Sequence, residues 1–149
     1  MSIQDYPQTD QFKEQMRESL QREIKNSRAI KIAKHANVYV GGEQDEMVYF
    51  IESGQVKLLT LSHDGRECIV AIHSSGDVFG ELCLSGAGVR LETATAMEET
   101  KLRVVPCTQL FNLVRSNSLL EGFVRYLSVR IADQQEVSPS WRPQTANIA

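Results

Sequence analysis

Met47–His73 reads MVYFIESGQVKLLTLSHDGRECIVAIH, and its punctuation decides the class of fold. Met47 to Ile51 is apolar and aromatic and closes at Ser53-Gly54. Val56 to Leu61 runs into His63-Asp64-Gly65, where Asp-Gly marks a two-residue hairpin turn. Arg66 to His73 then alternates, with Cys68, Val70 and Ile72 on one face and Glu67, Ile69, Ala71 and His73 on the other. Outward from this stretch the rhythm persists. Ile30 and Ile32 alternate with lysines, Val38 to Val40 ends at Gly41-Gly42, and Ser74 to Asp77 makes another turn. Glu92 to Met97 and Lys101 to Val105 supply two more strands joined by Glu98-Glu99. Short strands with turn signals at close intervals predict a mainly β sandwich or barrel.

Helical spacing flanks the strands. From Asp10 to about Lys25, Phe12, Met16, Leu20 and Ile24 form one thin apolar stripe, with Thr9 or Asp10 as N-cap. That pattern predicts a helix covering something larger. Pro106 to Arg115 is helical through Leu110, Phe111 and Val114. A longer helix is expected from about Ser118 to Glu136, where Leu120, Val124, Leu127 and Ile131 step three and four residues apart like a short coiled-coil seam. The seam predicts a homodimer through this C-terminal helix, the alternative being that it packs against the barrel of its own chain. The tail after Val137, with Pro139 and Pro143, reads as a linker or free end. The division expected is therefore 1–28 for an N-terminal tail and helix, 29–106 for the β unit, 107–137 for the C-terminal helices and 138–149 for the tail.

The chain has 149 residues, 42% hydrophobic and 23% charged, an ordinary balance for one globular domain. Its formal charge of -3 argues against a phosphate-seeking basic face. No apolar run reaches the roughly 20 residues that cross a bilayer, and the first ten residues hold no basic-then-apolar leader. Cys68, Cys83 and Cys107 are too scattered for zinc or an iron–sulfur cluster, so they read as reduced, buried, small hydrophobes in a cytoplasmic chain. No metal site is expected. His35, His63 and His73, none two apart, rule out the His-x-His pair of a cupin metalloenzyme and read as turn or surface residues. No serine or cysteine stands in an activating context, so the sequence does not read as an enzyme.

Chemistry concentrates in Val78–Ala96, VFGELCLSGAGVRLETATA. Gly80 lets a ligand approach the backbone, Glu81 offers a carboxylate beside it, and Leu82-Cys83-Leu84 can form a helical turn whose free amides face an anion. Arg90 returns a guanidinium across the loop Ser85 to Gly88. A hydroxyl acceptor, amide donors and an arginine together suit a sugar phosphate.

Phe79-Gly80-Glu81-Leu82, with Arg90 nine positions after Glu81, resembles the phosphate-binding cassette of cyclic-nucleotide-binding domains. Such domains occur in catabolite-activator-type (CRP/FNR) bacterial regulators and in the regulatory subunits of cAMP-dependent protein kinase. Gly42–Leu58, GEQDEMVYFIESGQVKL, resembles the early-strand signature of the family, and Ala96–Leu102 resembles the strand pair after the cassette. The resemblance covers roughly residues 29–137. It implies a double-stranded β-helix, or jelly roll, between an N-terminal helix and a long C-terminal helix, and a sensory domain that binds a cyclic nucleotide, cAMP in preference to cGMP.

By the same resemblance Glu81 accepts the ribose 2′-OH and Arg90 pairs with the cyclic phosphate. Backbone N–H groups of Cys83 and Leu91 complete the cradle, and Gly80 lies against the ribose. Arg130 and Gln134 on the C-terminal helix become candidate base contacts. The chain departs from the family at Leu91 and Glu92, where small residues are usual. A carboxylate at 92 can pair with Arg90 and compete with phosphate, or point harmlessly outward. The alternative is therefore a nucleotide-free member acting as a dimerisation or protein-interaction module. Bacterial relatives carry a helix-turn-helix after the long helix, which needs on the order of 20 residues. Twelve follow Val137 here, so no direct DNA binding by this chain is expected.

Overall fold

The computed structural model describes residues 7–22, 27–81, 86, 88–116 and 118–137, with the backbone alone for 7–9, 20, 21 and 133–137. Eight strands follow helix α1 (Pro7–Arg22): β1 (Arg28–Ile32), β2 (Asn37–Tyr39), β3 (Met47–Ser53), β4 (Gln55–Leu61), β5 (Glu67–Ser74), β6 (Val78–Phe79), β7 (Thr93–Ala96) and β8 (Thr100–Pro106). Helices α2 (Cys107–Ser116) and α3 (Leu120–Val137) complete the order. The strands make two antiparallel four-stranded sheets, β1-β8-β3-β6 and β2-β7-β4-β5.

The pairing is nested. β1 pairs with β8, β2 with β7, β3 with β6 and β4 with β5. The chain is thus one long folded-back ribbon whose tip is the β4–β5 turn. Rolling the ribbon over brings β3 against β8 and β4 against β7, which closes the two sheets into a jelly roll. At the tip the strands end at Leu61 and resume at Glu67, so the loop is five residues long and not the two-residue turn that Asp64-Gly65 suggests. Ser62 explains the extension. Its N–H donates to the Arg66 carbonyl at 2.8 Å, and its hydroxyl accepts the Arg66 N–H at 3.1 Å.

β3 accounts for its own composition. Tyr49 and Ile51 face the interior of the roll with Val56, Leu58, Phe79, Ala94 and Leu102. Val48 and Phe50 point the other way, beneath the helices, with Phe12, Met16, Leu110, Phe123 and Tyr126. A strand covered on both faces needs no polar alternation, hence MVYFI. Helix α1 covers as expected, its Phe12 ring 5.7 Å from that of Phe123 and 5.3 Å from that of Tyr126 on α3. Ile24 and Cys83 lie outside the described residues, as does the side chain of Leu20.

Two expectations are corrected. His73 is buried, because in β5 it is the 71/73 face that turns inward behind Phe79, with ring centroids 6.3 Å apart. Cys68 is exposed, because it sits near the open end of β5, an edge strand. Cys107 is half-buried at the start of α2.

Candidate functional site

Arg90 is placed by backbone before it is placed by its side chain. Gly42 and Glu43 trade hydrogen bonds with Arg90, Gly42 N–H to Arg90 O at 2.7 Å and Arg90 N–H to Glu43 O at 2.9 Å. Asp45 N–H reaches Gly88 O at 2.9 Å. The segment ahead of β3 is thereby clamped to the one ahead of β7. Within the clamp the Arg90 guanidinium turns inward, only 4% of the residue being exposed. Its Nη1 donates to the Gly80 carbonyl at 2.7 Å and its Nη2 to the Met47 carbonyl. Asp45 Oδ2 lies 3.3 Å from Nη2. The same carboxylate accepts the Met47 N–H at 2.9 Å and the Tyr49 hydroxyl at 2.7 Å.

The Tyr39 ring lies 4.2 Å under the guanidinium carbon, within cation–π range. Burial pushes the Tyr39 phenol up against the pull of Arg90, and burial with the Asp45 contact does the same to Tyr49, so both stay neutral. Gly80 makes the inward pose possible. At φ 85° it occupies the left-handed region, and a Cβ there would stand 3.1 Å from both Arg90 Nη2 and the Met47 carbonyl. Arg90 Nε is buried without a hydrogen-bond partner among the described residues.

Glu81 is taken up from the other side. Its Oε1 lies 3.0 Å from Arg130 Nη2 on α3. Arg130 is also 4% exposed, donates from Nη1 to the Val78 carbonyl, and brings Nη2 within 3.0 Å of His73 Nε2. Burial disfavours the Arg130 charge, but Glu81, then Tyr126 and Asp77, outweigh it and raise the pKa. Burial, joined by the charge of Arg130, holds the His73 pKa down at about 3, so the neutral ring accepts at Nε2. Behind it, Tyr126 on α3 accepts the Val78 N–H at 2.9 Å and donates to Asp77 Oδ1 at 3.2 Å. Lys13 of α1 pairs with Asp77 at 2.9 Å. Both helices are therefore tied by charge to the strand that leads into the cassette.

Gly80, Glu81, Arg90 and Leu91 do converge, lining one cavity of about 80 Å³ with Tyr39, Leu58 and Glu92. Pockets that hold small ligands run to roughly 300–1,000 Å³, so the cavity between these described residues is smaller than a usual ligand site. Leu91 itself is 73% exposed. Leu82 and Cys83 lie outside the described residues, as does the side chain of Gln134. The carboxylate paired with Arg90 is Asp45, not Glu92. Sequence reasoning missed Asp45, Tyr39 and the His73–Asp77–Lys13 group. Only Asp45 left a trace, as an acidic residue inside the early-strand signature.

Comparison with known proteins agrees with the fold. Residues 29–117 match the family described as "Cyclic nucleotide-binding domain". A stretch of 64 residues is 38% identical to a CRP-like cAMP-activated global transcriptional regulator of Mycobacterium tuberculosis, covering 43% of this chain and 29% of that protein. Among solved structures, the c-di-GMP responsive global regulator CLP of Xanthomonas campestris superposes with a TM-score of 0.72 at 19% identity, covering 89% of this chain and 68% of that one. Catabolite activator protein from Thermus thermophilus does so with a TM-score of 0.67 at 22% identity, covering 83% and 58%. The chain spans less than a third of the Mycobacterium relative's length. With its nested jelly roll and a family match over more than half its length, this chain belongs to the cyclic nucleotide-binding domain family.

Proposed function

We propose that the chain is the sensory part of a CRP/FNR-type bacterial regulator and binds a cyclic nucleotide, cAMP before cGMP, in the cavity between Glu81 and Arg90. The observation that carries this reading is the convergence of Gly80, Glu81 and Arg90 on one cavity, with Glu81 held by α3. Arg90 pairs with the cyclic phosphate and Glu81 accepts the ribose 2′-OH. The amides of Cys83 and Leu91 complete the phosphate cradle, and Gly80 lies against the ribose. Arg130 and Gln134 meet the base side from α3. A ribose on Glu81 displaces Arg130, and the displaced guanidinium carries the signal into α3. The domain works as a cytoplasmic sensor, not as a catalyst. Its output passes through a homodimer formed along α3, where Leu120, Val124 and Ile131 are exposed at 57%, 54% and 59%.

Calorimetric titration of cAMP and cGMP into the wild type and Arg90→Ala tests it. The wild type binds, and loss of the buried phosphate partner costs about 2–5 kcal/mol, which removes binding at micromolar ligand. Circular dichroism confirms that the variant is folded, and Glu81→Gln supplies a second lesion if it is not. The engagement of both Arg90 terminal nitrogens, already met by Asp45 and two carbonyls, favours one rival: a nucleotide-free dimerisation or interaction module. Flat titrations of the folded wild type with both nucleotides would establish that rival.

A further inference from the structure

Ion pairing around the cavity leaves one group over. Arg90 is matched by Asp45 at 3.3 Å and Arg130 by Glu81 at 3.0 Å. Glu92 lines the same cavity, half-buried, with no hydrogen bond or ion pair among the described residues. Two guanidiniums thus face three carboxylates, and the surplus charge is that of Glu92. The groups around it are Glu81 after β6, Arg90 ahead of β7, Arg130 from α3 and the neutral Tyr39 phenol from β2. We propose that Glu92 is a selectivity residue of this cavity: it admits a monoanionic cyclic phosphodiester only together with a proton, taken up on its own carboxylate.

The proposal rests on the nucleotide-binding reading above and adds its charge requirement. A phosphodiester brought to Arg90 raises the local surplus from one negative charge to two, even where Arg90 leaves Asp45 to meet it. Like charges in a half-buried site are weakly screened, so one of them is relieved by protonation. Glu92 is the carboxylate in the cavity lining that has no ion-pair partner among the described residues. Burial and the neighbouring Glu81 already push its pKa up, against the opposing pull of Arg130 and Arg90. Ligand entry pushes it further, so free energy of binding is coupled to proton uptake and affinity falls as pH rises.

The full chain is titrated with cAMP from about pH 5 to about pH 8, each point in two buffers of different ionisation enthalpy so that protons taken up are counted. The wild type is expected to take up close to one proton across the window in which Glu92 titrates, its affinity weakening by up to about tenfold per pH unit there. Glu92→Gln, nearly isosteric and uncharged, binds on the order of tenfold or more tighter at neutral pH, with flat affinity and no proton uptake. Wild type and variant binding alike, or proton uptake persisting in Glu92→Gln, overturns the proposal while the nucleotide reading stands. A folded Glu92→Gln that binds no cyclic nucleotide at any pH overturns both.

Discussion

Replacing His73 with glutamine is expected to remove most of the acid sensitivity of the fold. His73 is 6% exposed, its Nε2 accepts from Arg130 at 3.0 Å, and its pKa is held at about 3 against an ordinary 6.5. The unfolded chain takes a proton on this ring near pH 6.5, whereas the native one resists until about pH 3. The stabilisation is therefore fully present above pH 6.5 and is lost as pH falls through that window. Each unit of separation is worth about 1.4 kcal/mol, and with the unfolded ring already half protonated at about pH 6.5, going to about pH 4.5 costs the wild type roughly 2.3 kcal/mol through this ring. Asp77 adds nothing in that range. Burial pushes its pKa up, the Ser74 N–H and Lys13 pull it further down, and its own loss begins only below the ordinary carboxylate value of 3.8. Glu92, with its pKa raised, has the opposite sign and gains stability on acidification.

Comparing the two proteins cancels both contributions. In His73→Gln the introduced amide oxygen can accept from Arg130 and does not titrate. Urea unfolding followed by far-ultraviolet circular dichroism at half-unit pH steps gives the two slopes. Wild-type stability should drop by on the order of 2–3 kcal/mol more than that of the variant over the window. Parallel slopes would show that His73 is not held neutral by its surroundings, and the network from Lys13 to Arg130 would need a different charge assignment.

Gly54→Ala should be severely destabilising, on the order of 3 kcal/mol or more. At φ 104° its Cβ would stand 2.7 Å from Thr100 Cα and 2.8 Å from the Glu99 carbonyl. A melting temperature within a degree or two of wild type would show that the β3–β4 turn can shift, whereas Gly65→Ala at the open hairpin tip, with nothing within 4 Å, serves as the strain-only control. Leu120→Lys with Val124→Lys should convert a dimer into a monomer by sedimentation equilibrium and leave the intramolecular core intact, because both side chains are more than half exposed within the chain. A wild type that sediments as a monomer at micromolar concentration would remove the dimer from the proposal.

The roll was legible because its strands announce themselves by alternation and by residues that favour turns. Asp64-Gly65 marked the β4–β5 turn but not its five-residue length, and MVYFI read as a strand without showing that both its faces are covered. β6 was not legible, since Val78–Phe79 is too short to show a period and reads as part of the cassette. The inward face of β5 was not legible either. Its two faces carry similar residues, and only packing against Phe79 selects the one with His73. The candidate site divides in the same way. Gly80, Glu81 and Arg90 follow from a local spacing, but the partners that hold them come from far along the chain. Asp45 meets Arg90 through the clamp between the segments ahead of β3 and β7, and Arg130 meets Glu81 from the final helix. Such pairs carry no sequence period, because they are set by the rolled ribbon and not by local repetition.

The nested ribbon also dictates an order of assembly. The β4–β5 pair closes a short loop, whereas β1 meets β8 through Ala29↔Arg103 and Ile30↔Leu102, across nearly the whole roll. Loop-closure entropy rises with separation, so the innermost pair is the cheapest to form and the outermost the dearest. During ribosomal synthesis β1 emerges first yet has no partner until β8 has left the exit tunnel. The amino-terminal strand is thus made early and used last, and a nascent chain halted before residue 100 holds an unsatisfied edge instead of a partly built barrel.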